Sequence, residues 1–239
     1  KTLNVGISTR VFDRFSVELE FYNRQTDDML MGYPLSYTTG HGSSVENVAS
    51  MRNRGFDITL GVDILKTRDF SWSVSGNLNY NKNEITKLFN GLDEYTLPDT
   101  GLKMKVGKPW GEYYYVRWAG VDPRDGYNTW YDKNGNLTKS YSEEDAVFVG
   151  KQRYALWSGG FGTQFGWKGI SVSADFSFML GQYMLNNERF FTENPTFAGS
   201  DNQTVEMLTM WQKPGDVTRI ATPDSPMQFD THLLENASF

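Results

Sequence analysis

The chain contains no cysteine in 239 residues, which excludes disulfides and thiolate metal sites. It has only two histidines, His41 and His232, remote from each other in sequence. A histidine-based triad or zinc cluster therefore has little support. Lys and Arg total 23 against 29 Asp and Glu, a net charge of −6. Phosphate binding needs clustered Lys and Arg, so a nucleic-acid partner is not expected. No run of 18 apolar residues occurs, which excludes a transmembrane helix. Gly159-Gly160-Phe161-Gly162 lacks the Lys and Ser/Thr of a phosphate cradle. Glu143-Glu144-Asp145 reads as a solvated loop surface rather than an acid/base pair. Asp132-Lys133-Asn134-Gly135-Asn136 has its glycine too early for a calcium loop and fits a hairpin turn better. No enzymatic activity, cofactor or metal is expected.

What the sequence does have is a rhythm. Phe56, Ile58, Leu60, Val62 and Ile64 alternate with Asp57, Thr59, Gly61 and Asp63. Period-two alternation sends one set of side chains to each face of a strand. A tight gap at 65–69 follows, and Trp72, Val74, Gly76, Leu78 and Tyr80 then alternate with Ser73, Ser75, Asn77 and Asn79. The unit recurs at Phe15, Val17, Leu19 and Phe21 after a turn near Asp13. It recurs again where Phe161, Phe165 and Trp167 join Ile170, Val172, Ala174, Phe176 and Phe178 through Lys168-Gly169. Long stretches, roughly 26–53, 83–157 and 180–230, separate the pairs. Tight turns on one side, long loops on the other and a dyad pattern predict an all-β fold, the antiparallel strands of a transmembrane β-barrel.

Composition permits this reading. Aromatic residues make up 15% of the chain, and a barrel combines a thin apolar band with a polar lumen and polar loops. About seven membrane-type strands are expected, an odd number too small to close around a useful lumen, so the chain reads as part of a barrel. Lys1-Thr2-Leu3-Asn4 is not a signal peptide, and the chain ends at 234–239 where another strand begins. Two rivals stay open. A soluble β-sandwich, such as a carbohydrate-binding module, would bury the same alternating face in a core. A passive porin would share the strands.

Several motifs carry a family resemblance. They are Asn47-Val48-Ala49-Ser50-Met51-Arg52-Asn53-Arg54-Gly55-Phe56-Asp57, then Asn79-Tyr80-Asn81-Lys82-Asn83-Glu84, then Val106-Gly107-Lys108-Pro109-Trp110-Gly111-Glu112-Tyr113. Gly120-Val121-Asp122-Pro123 with Gly126, Trp211-Gln212-Lys213-Pro214-Gly215-Asp216 and Leu234-Glu235-Asn236-Ala237-Ser238-Phe239 complete the series. In order and spacing it resembles the SusC/RagA-type TonB-dependent outer-membrane transporters over nearly the whole chain. Ala49 and Asp57 stand where the family pattern has glycine and glutamate. The resemblance implies that residues 1–239 are part of the barrel domain of a bacterial outer-membrane protein, with the plug domain and final strands absent. It further implies energised import of glycan or peptide nutrients, a SusD-like surface lipoprotein, and coupling to the TonB complex through the missing N-terminal part.

Residue roles divide by face. Ile58, Leu60, Val172 and Phe176 should meet outer-membrane lipid, with Trp72, Tyr80, Trp167 and Phe161 in aromatic girdles near strand ends. Glu18, Glu20, Asp57, Asp63, Asn77, Asn79 and Asp175 should line the lumen. The stretch 101–131 gathers Trp110, Tyr113, Tyr114, Tyr115, Trp118, Tyr127, Trp130 and Tyr131. Rings of this kind stack on sugars and anchor protein interfaces, which makes Trp110, Tyr113, Tyr115, Trp118, Tyr127, Trp130 and Tyr131 the candidate substrate or partner contacts. Equally, they could form the loop's own small core.

Overall fold

The computed structural model describes residues 1–35, 38, 40–96 and 103–239; of Met31, Tyr33, Pro34, Ser43, Glu46 and Val48 it describes the backbone alone. Gly101 and Leu102, at the start of the aromatic stretch, therefore lie outside the described residues. Two compact units share the chain: Lys1–Gly111 with Gln152–Gln182 and Ala237–Phe239, and Glu112–Lys151 with Tyr183–Asn236.

The first unit begins with β1 (Thr2–Val11), β2 (Phe15–Pro34), β3 (Ser43–Lys66), β4 (Phe70–Leu88), β5 (Glu94–Thr96) and β6 (Lys103–Lys105). The second unit contributes β7 (Glu112–Tyr115), β8 (Arg117–Val121), β9 (Asn128–Tyr131), β10 (Leu137–Thr138) and β11 (Val147–Gln152). The chain then returns to the first unit for β12 (Trp157–Trp167) and β13 (Ile170–Leu180). It finishes the second with β14 (Tyr183–Leu185), the short helix α1 (Asn187–Thr192) and β15 (Leu234–Asn236).

The first unit is built on one antiparallel six-stranded sheet in the order β1-β2-β3-β4-β12-β13, open at both edges, with β5 and β6 paired separately. The three tight turns lie at the same end of it. Phe12 and Asp13 both have positive φ in a three-residue turn, as do Lys168 and Gly169 in a two-residue one, the backbone by which tight hairpins match the right-handed twist of their strands. At the third turn Thr67 Oγ1 accepts from the Phe70 amide at 3.1 Å and its own amide donates to the Phe70 carbonyl at 2.8 Å. The long connections leave from the opposite end. There the stretch from Lys105 to Trp110 docks on β4: the Ile85 amide donates to Lys108 O at 2.9 Å and the Trp110 amide to Asn83 Oδ1 at 2.8 Å.

Register assembles the alternating residues into cross-strand rows. One row reads Val5, Phe21, Phe56, Tyr80, Trp157, Leu180. Its rings touch in sequence, with Phe21–Phe56 at 6.1 Å, Phe56–Tyr80 at 5.6 Å and Tyr80–Trp157 at 4.6 Å. Near the tight turns, Trp72 stacks on Phe165 at 5.3 Å, and Phe70 opposes Trp167. Between these bands, every outward side chain except Thr9 and Thr163 is apolar or glycine, and Thr163 Oγ1 is capped by Trp72 Nε1 at 2.9 Å. Trp157 and Trp167 are ten residues apart on β12. At about 3.3 Å per residue and a tilt near 40° they stand roughly 25 Å apart in height, the height of an outer-membrane apolar band. Phe161, read from sequence as a girdle residue, is at mid-band instead, stacked on Phe176 at 4.9 Å.

The opposite face is polar. Glu20, Asp57 and Asn79 lie side by side, with Asn4 donating to Glu20 and Asn79 to Asp57. Arg10 pairs with Asp63 at 3.2 Å. β2, β3 and β4 run beyond the apolar band, so the stretch read as loop at 26–53 is largely strand, with irregular pairing around Met29 and Ser50. A closed core lies out here, where Ala49, Ile85, Leu88 and Met104 are buried and Trp110, Tyr95 and Phe89 pack on them.

Candidate functional site

The second unit carries the aromatic stretch. β8 pairs with β9 and β9 with β10 through a hairpin at 132–136, where Asp132 accepts from the amides of Asn134 and Asn136, both at 2.8 Å. These bonds, the Asn136 amide side chain foremost, hold the Asp132 carboxyl below its ordinary range. The loop is a turn, as its sequence predicts, and no cluster of His, Cys, Asp or Glu suited to a metal occurs among the described residues.

The candidate aromatics are brought together unevenly. Tyr113 and Trp130 are buried. Tyr113 donates to Tyr183 O at 3.2 Å and its ring lies 6.0 Å from Tyr115, while Tyr114 meets Phe148 edge-on at 5.0 Å. Trp118 and Trp130 are register partners, and Arg117 sits 5.3 Å over the Tyr131 ring. Tyr127 is exposed at the turn after β8, with Lys139 Nζ 6.0 Å from its ring. Trp110 belongs to the other unit's core.

What fixes these rings is a set of buried polar groups for which the sequence offered no signal. Trp130 Nε1 donates to Asp230 Oδ2 at 2.6 Å, and the His232 amide donates to Asp230 Oδ1 at 2.7 Å. Burial pushes the Asp230 carboxyl up to about 6, and these two donors restrain the rise. The His232 ring lies parallel on Trp118 at 3.9 Å. Burial, then the Arg189 and Arg219 cations, push His232 down to about 3, so it is neutral. Its Nε2 lies 3.3 Å from Arg189 Nη2, an obligate donor, which assigns the ring proton to Nδ1. Arg189 is further bound by Glu193 at 2.8 Å, by His232 O at 3.1 Å and by Glu235 at 3.2 Å. Asn128 joins Trp118 Nε1 at 2.9 Å to Ser225 O at 2.6 Å. Trp130 and Asp230 are 100 residues apart, Asn128 and Ser225 97, and Arg189 and His232 43, which is why no local pattern reveals these contacts.

Two of the sequence motifs meet here. In the turn at 122–127, Asp122 holds Arg124 through Nε at 3.0 Å and Nη2 at 2.8 Å, and Lys139 at 2.9 Å. That double pairing holds the Asp122 carboxyl well below the carboxylate range, and Lys139 is raised by its bonds to Asp125 first and then to Asp122. Trp211 packs on Gly126, whose φ is +76°; a Cβ there would stand 2.5 Å from Trp211 Cε3. Trp211 Nε1 donates to Pro123 O at 3.2 Å, and the Gly215 amide to the same oxygen at 2.8 Å. The Val121–Gly126 and Trp211–Asp216 motifs are thus two halves of one clasp. Glu143, Glu144 and Asp145 form an exposed turn capped by Ser142, and Gly159-Gly160-Phe161-Gly162 lies inside β12.

Known proteins share this chain's sequence and fold. No protein-family model matches it. It is 23% identical to TonB-dependent receptor P3 of Formosa agariphila over 93% of its length, and 28% identical to TonB-dependent receptor SusC of Bacteroides thetaiotaomicron over 57%. Those matches span 24% and 15% of the two relatives, so the chain corresponds to a quarter or less of their length. A solved structure of the RagAB peptide transporter superposes on 99% of the chain with a TM-score of 0.89 and 38% identity, using 27% of the transporter chain. The open six-stranded sheet, with its apolar band and polar back, is part of that β-barrel fold. In sequence and fold the chain is similar to part of the SusC- and RagA-type TonB-dependent receptors.

Proposed function

We propose that the protein to which this chain belongs imports nutrients across the bacterial outer membrane, energised through the TonB complex and capped outside by a SusD-like lipoprotein. The observation that carries this reading is the two-faced sheet: aromatic bands bracket an uncharged strip of about lipid thickness, while the other face presents Glu18, Glu20, Asp57, Asn77 and Asn79. A wall between lipid and water uses both faces in that way; in a soluble sandwich the apolar face would be buried, whereas here it is exposed. The tight turns face the periplasm, and the long connections leave the sheet on the extracellular side. Peptides are favoured over glycans as cargo, because the greater identity is to a peptide transporter.

Within the aromatic stretch, Tyr127 and the half-buried Trp118, Tyr115 and Tyr131 are the surfaces for substrate or lipoprotein, whereas Tyr113 and Trp130 hold the shape. The test is uptake of labelled peptides and labelled oligosaccharides by cells with and without the full-length gene, with and without a protonophore. Gene- and energy-dependent peptide uptake is expected. Passive uptake unaffected by the protonophore would favour a porin.

A further inference from the structure

The apolar face is not evenly covered. In the row Val17, Leu60, Gly76, Phe161, Phe176 one position lacks a side chain. Gly76 leaves a groove of about 650 Å³ bounded by Leu60, Val74, Leu78 and Phe161. Close backbone approach does not demand this glycine, because a Cβ at Gly76 would stand 3.4 Å from its nearest neighbour. Gly159 differs, since a Cβ there would overlap the Asn77 carbonyl. The space at Gly76 is open by composition rather than by necessity.

Just beyond the aromatic row the same face turns cationic. Arg54 opposes Lys82, and Arg52 opposes Glu84. Glu84 serves both arginines, at 3.2 and 3.3 Å, and Lys82 is exposed. Two arginines thus share one carboxylate, and Lys82 adds a third cation beside them. Lys82 is six residues from Gly76, about 20 Å along the strand and roughly 15 Å in height after tilt. That is half of a hydrocarbon core about 30 Å thick.

We infer that this face seats one phosphorylated membrane lipid, its acidic headgroup on Arg54 and Lys82 and one acyl chain running past Leu78 into the Gly76 groove. The inference rests on the reading that this face meets lipid. Charge complementarity selects the headgroup, and the carbon-only groove selects the chain. A peptide occupant is disfavoured because the sheet's own amides and carbonyls are consumed in the ladder, leaving a peptide backbone unpaired in an apolar setting. A second copy of this face gains little, because apolar surfaces already in lipid have no hydrophobic drive to associate.

The test uses the full-length receptor in phosphatidylcholine vesicles doped with a diazirine-acyl probe, carried on phosphatidylglycerol in one arm and on phosphatidylcholine in the other. Labelled residues are mapped by mass spectrometry. The phosphatidylglycerol probe should label Leu60, Leu78 and Phe161 several-fold above Ile7, which shares the depth of Leu78 away from the groove. Gly76→Leu should abolish that excess, and Arg54→Gln with Lys82→Gln should reduce it to the phosphatidylcholine level. Equal labelling at Ile7 and the groove, indifference to headgroup, or protein–protein crosslinks at Phe161 would each overturn the inference while leaving the face in lipid. Absence of label from the whole face would instead overturn the lipid-facing assignment.

Discussion

The phenol of Tyr22 on β2 lies over Gly55 on β3 and reaches the next strand, where its hydroxyl donates to Asn81 Oδ1 at 3.2 Å. A Cβ at Gly55 would stand 2.6 Å from Tyr22 Oη and would overlap the Tyr80 carbonyl. The glycine of the Asn53-Arg54-Gly55 motif is therefore the slot that lets one side chain bridge three strands. Gly55→Ala should cost about 1–3 kcal/mol through overpacking, and Tyr22→Phe about 0.5–1.5 kcal/mol through loss of the hydroxyl's hydrogen bonds to Asn81 and Tyr80. Heat-dependent unfolding of the full-length protein on a gel reads both, and an undiminished Gly55→Ala barrel would show that the slot is not needed.

The lipid face makes a depth-dependent prediction. Leu60 is in the mid-band row, so Leu60→Arg should cost about 2–4 kcal/mol in lipid vesicles. Val172 aligns with Trp72 and Phe165 in the band edge, where an arginine reaches the interface, so Val172→Arg should cost about 0–1 kcal/mol. Asn77→Arg and Ser173→Arg, on the polar face, should be mild. Equal costs at Leu60 and Asn77 would invert the two faces.

How far the sequence reveals this fold depends on where the chain is. Within the band, lipid on one side and water on the other enforce alternation, so Phe15–Phe21, Phe56–Ile64 and Ile170–Phe178 were legible as strands. Above it, lipid no longer enforces alternation and the pairing turns irregular around Met29 and Ser50, so strand reads as loop. The aromatic stretch was legible as a cluster, but not which ring is buried, because Trp130 and Trp118 are fixed by Asp230 and His232 about a hundred residues away.

Asp230 and His232 give a pH signature. His232 has its pKa depressed from 6.5 to about 3, so it contributes stability that is complete above 6.5 and is lost as pH falls toward 3. Asp230 has its pKa raised from 3.8 to about 6, so it contributes stability present below 3.8 that is lost as pH rises through 6. Between about pH 4 and 6 the two slopes, each about 1.4 kcal/mol per unit, oppose one another. Asp230→Asn removes one of them. The variant should lose stability steadily on acidification from about pH 6 to 4, where the parent stays nearly flat. Near-UV circular dichroism of denaturant unfolding, which follows the stacked Trp118, measures it; parallel profiles would refute the opposition.

The clasp between Gly126 and Trp211 predicts coupling. Gly126→Ala forces a Cβ into the indole at a positive φ, and should cost about 1–3 kcal/mol. Trp211→Ala removes the indole but leaves Thr222 Cγ2, 2.3 Å from that Cβ, so the double variant should be less damaged than the sum by about 0.5–3 kcal/mol while keeping part of the Gly126→Ala cost. Limited proteolysis of the second unit in all four proteins closes the cycle, and strict additivity would mean that the motifs only happen to touch.

The 239-residue chain taken alone should not behave as a soluble monomer. Leu3, Val5, Ile7, Phe21, Phe161, Val172 and Phe176 are all more than half exposed on one continuous face, and β1 and β13 are open edges. Water penalises that face, and unpaired strand edges recruit further strands. No amphipathic helix among the described residues covers it, since α1 has only six residues. Light scattering in detergent-free buffer should therefore report large, polydisperse particles, with detergent or lipid restoring a discrete species by occupying the face. A monodisperse monomer with a cooperative melt in plain buffer would mean that the alternating face is a protein core, and the soluble sandwich would then be the better reading.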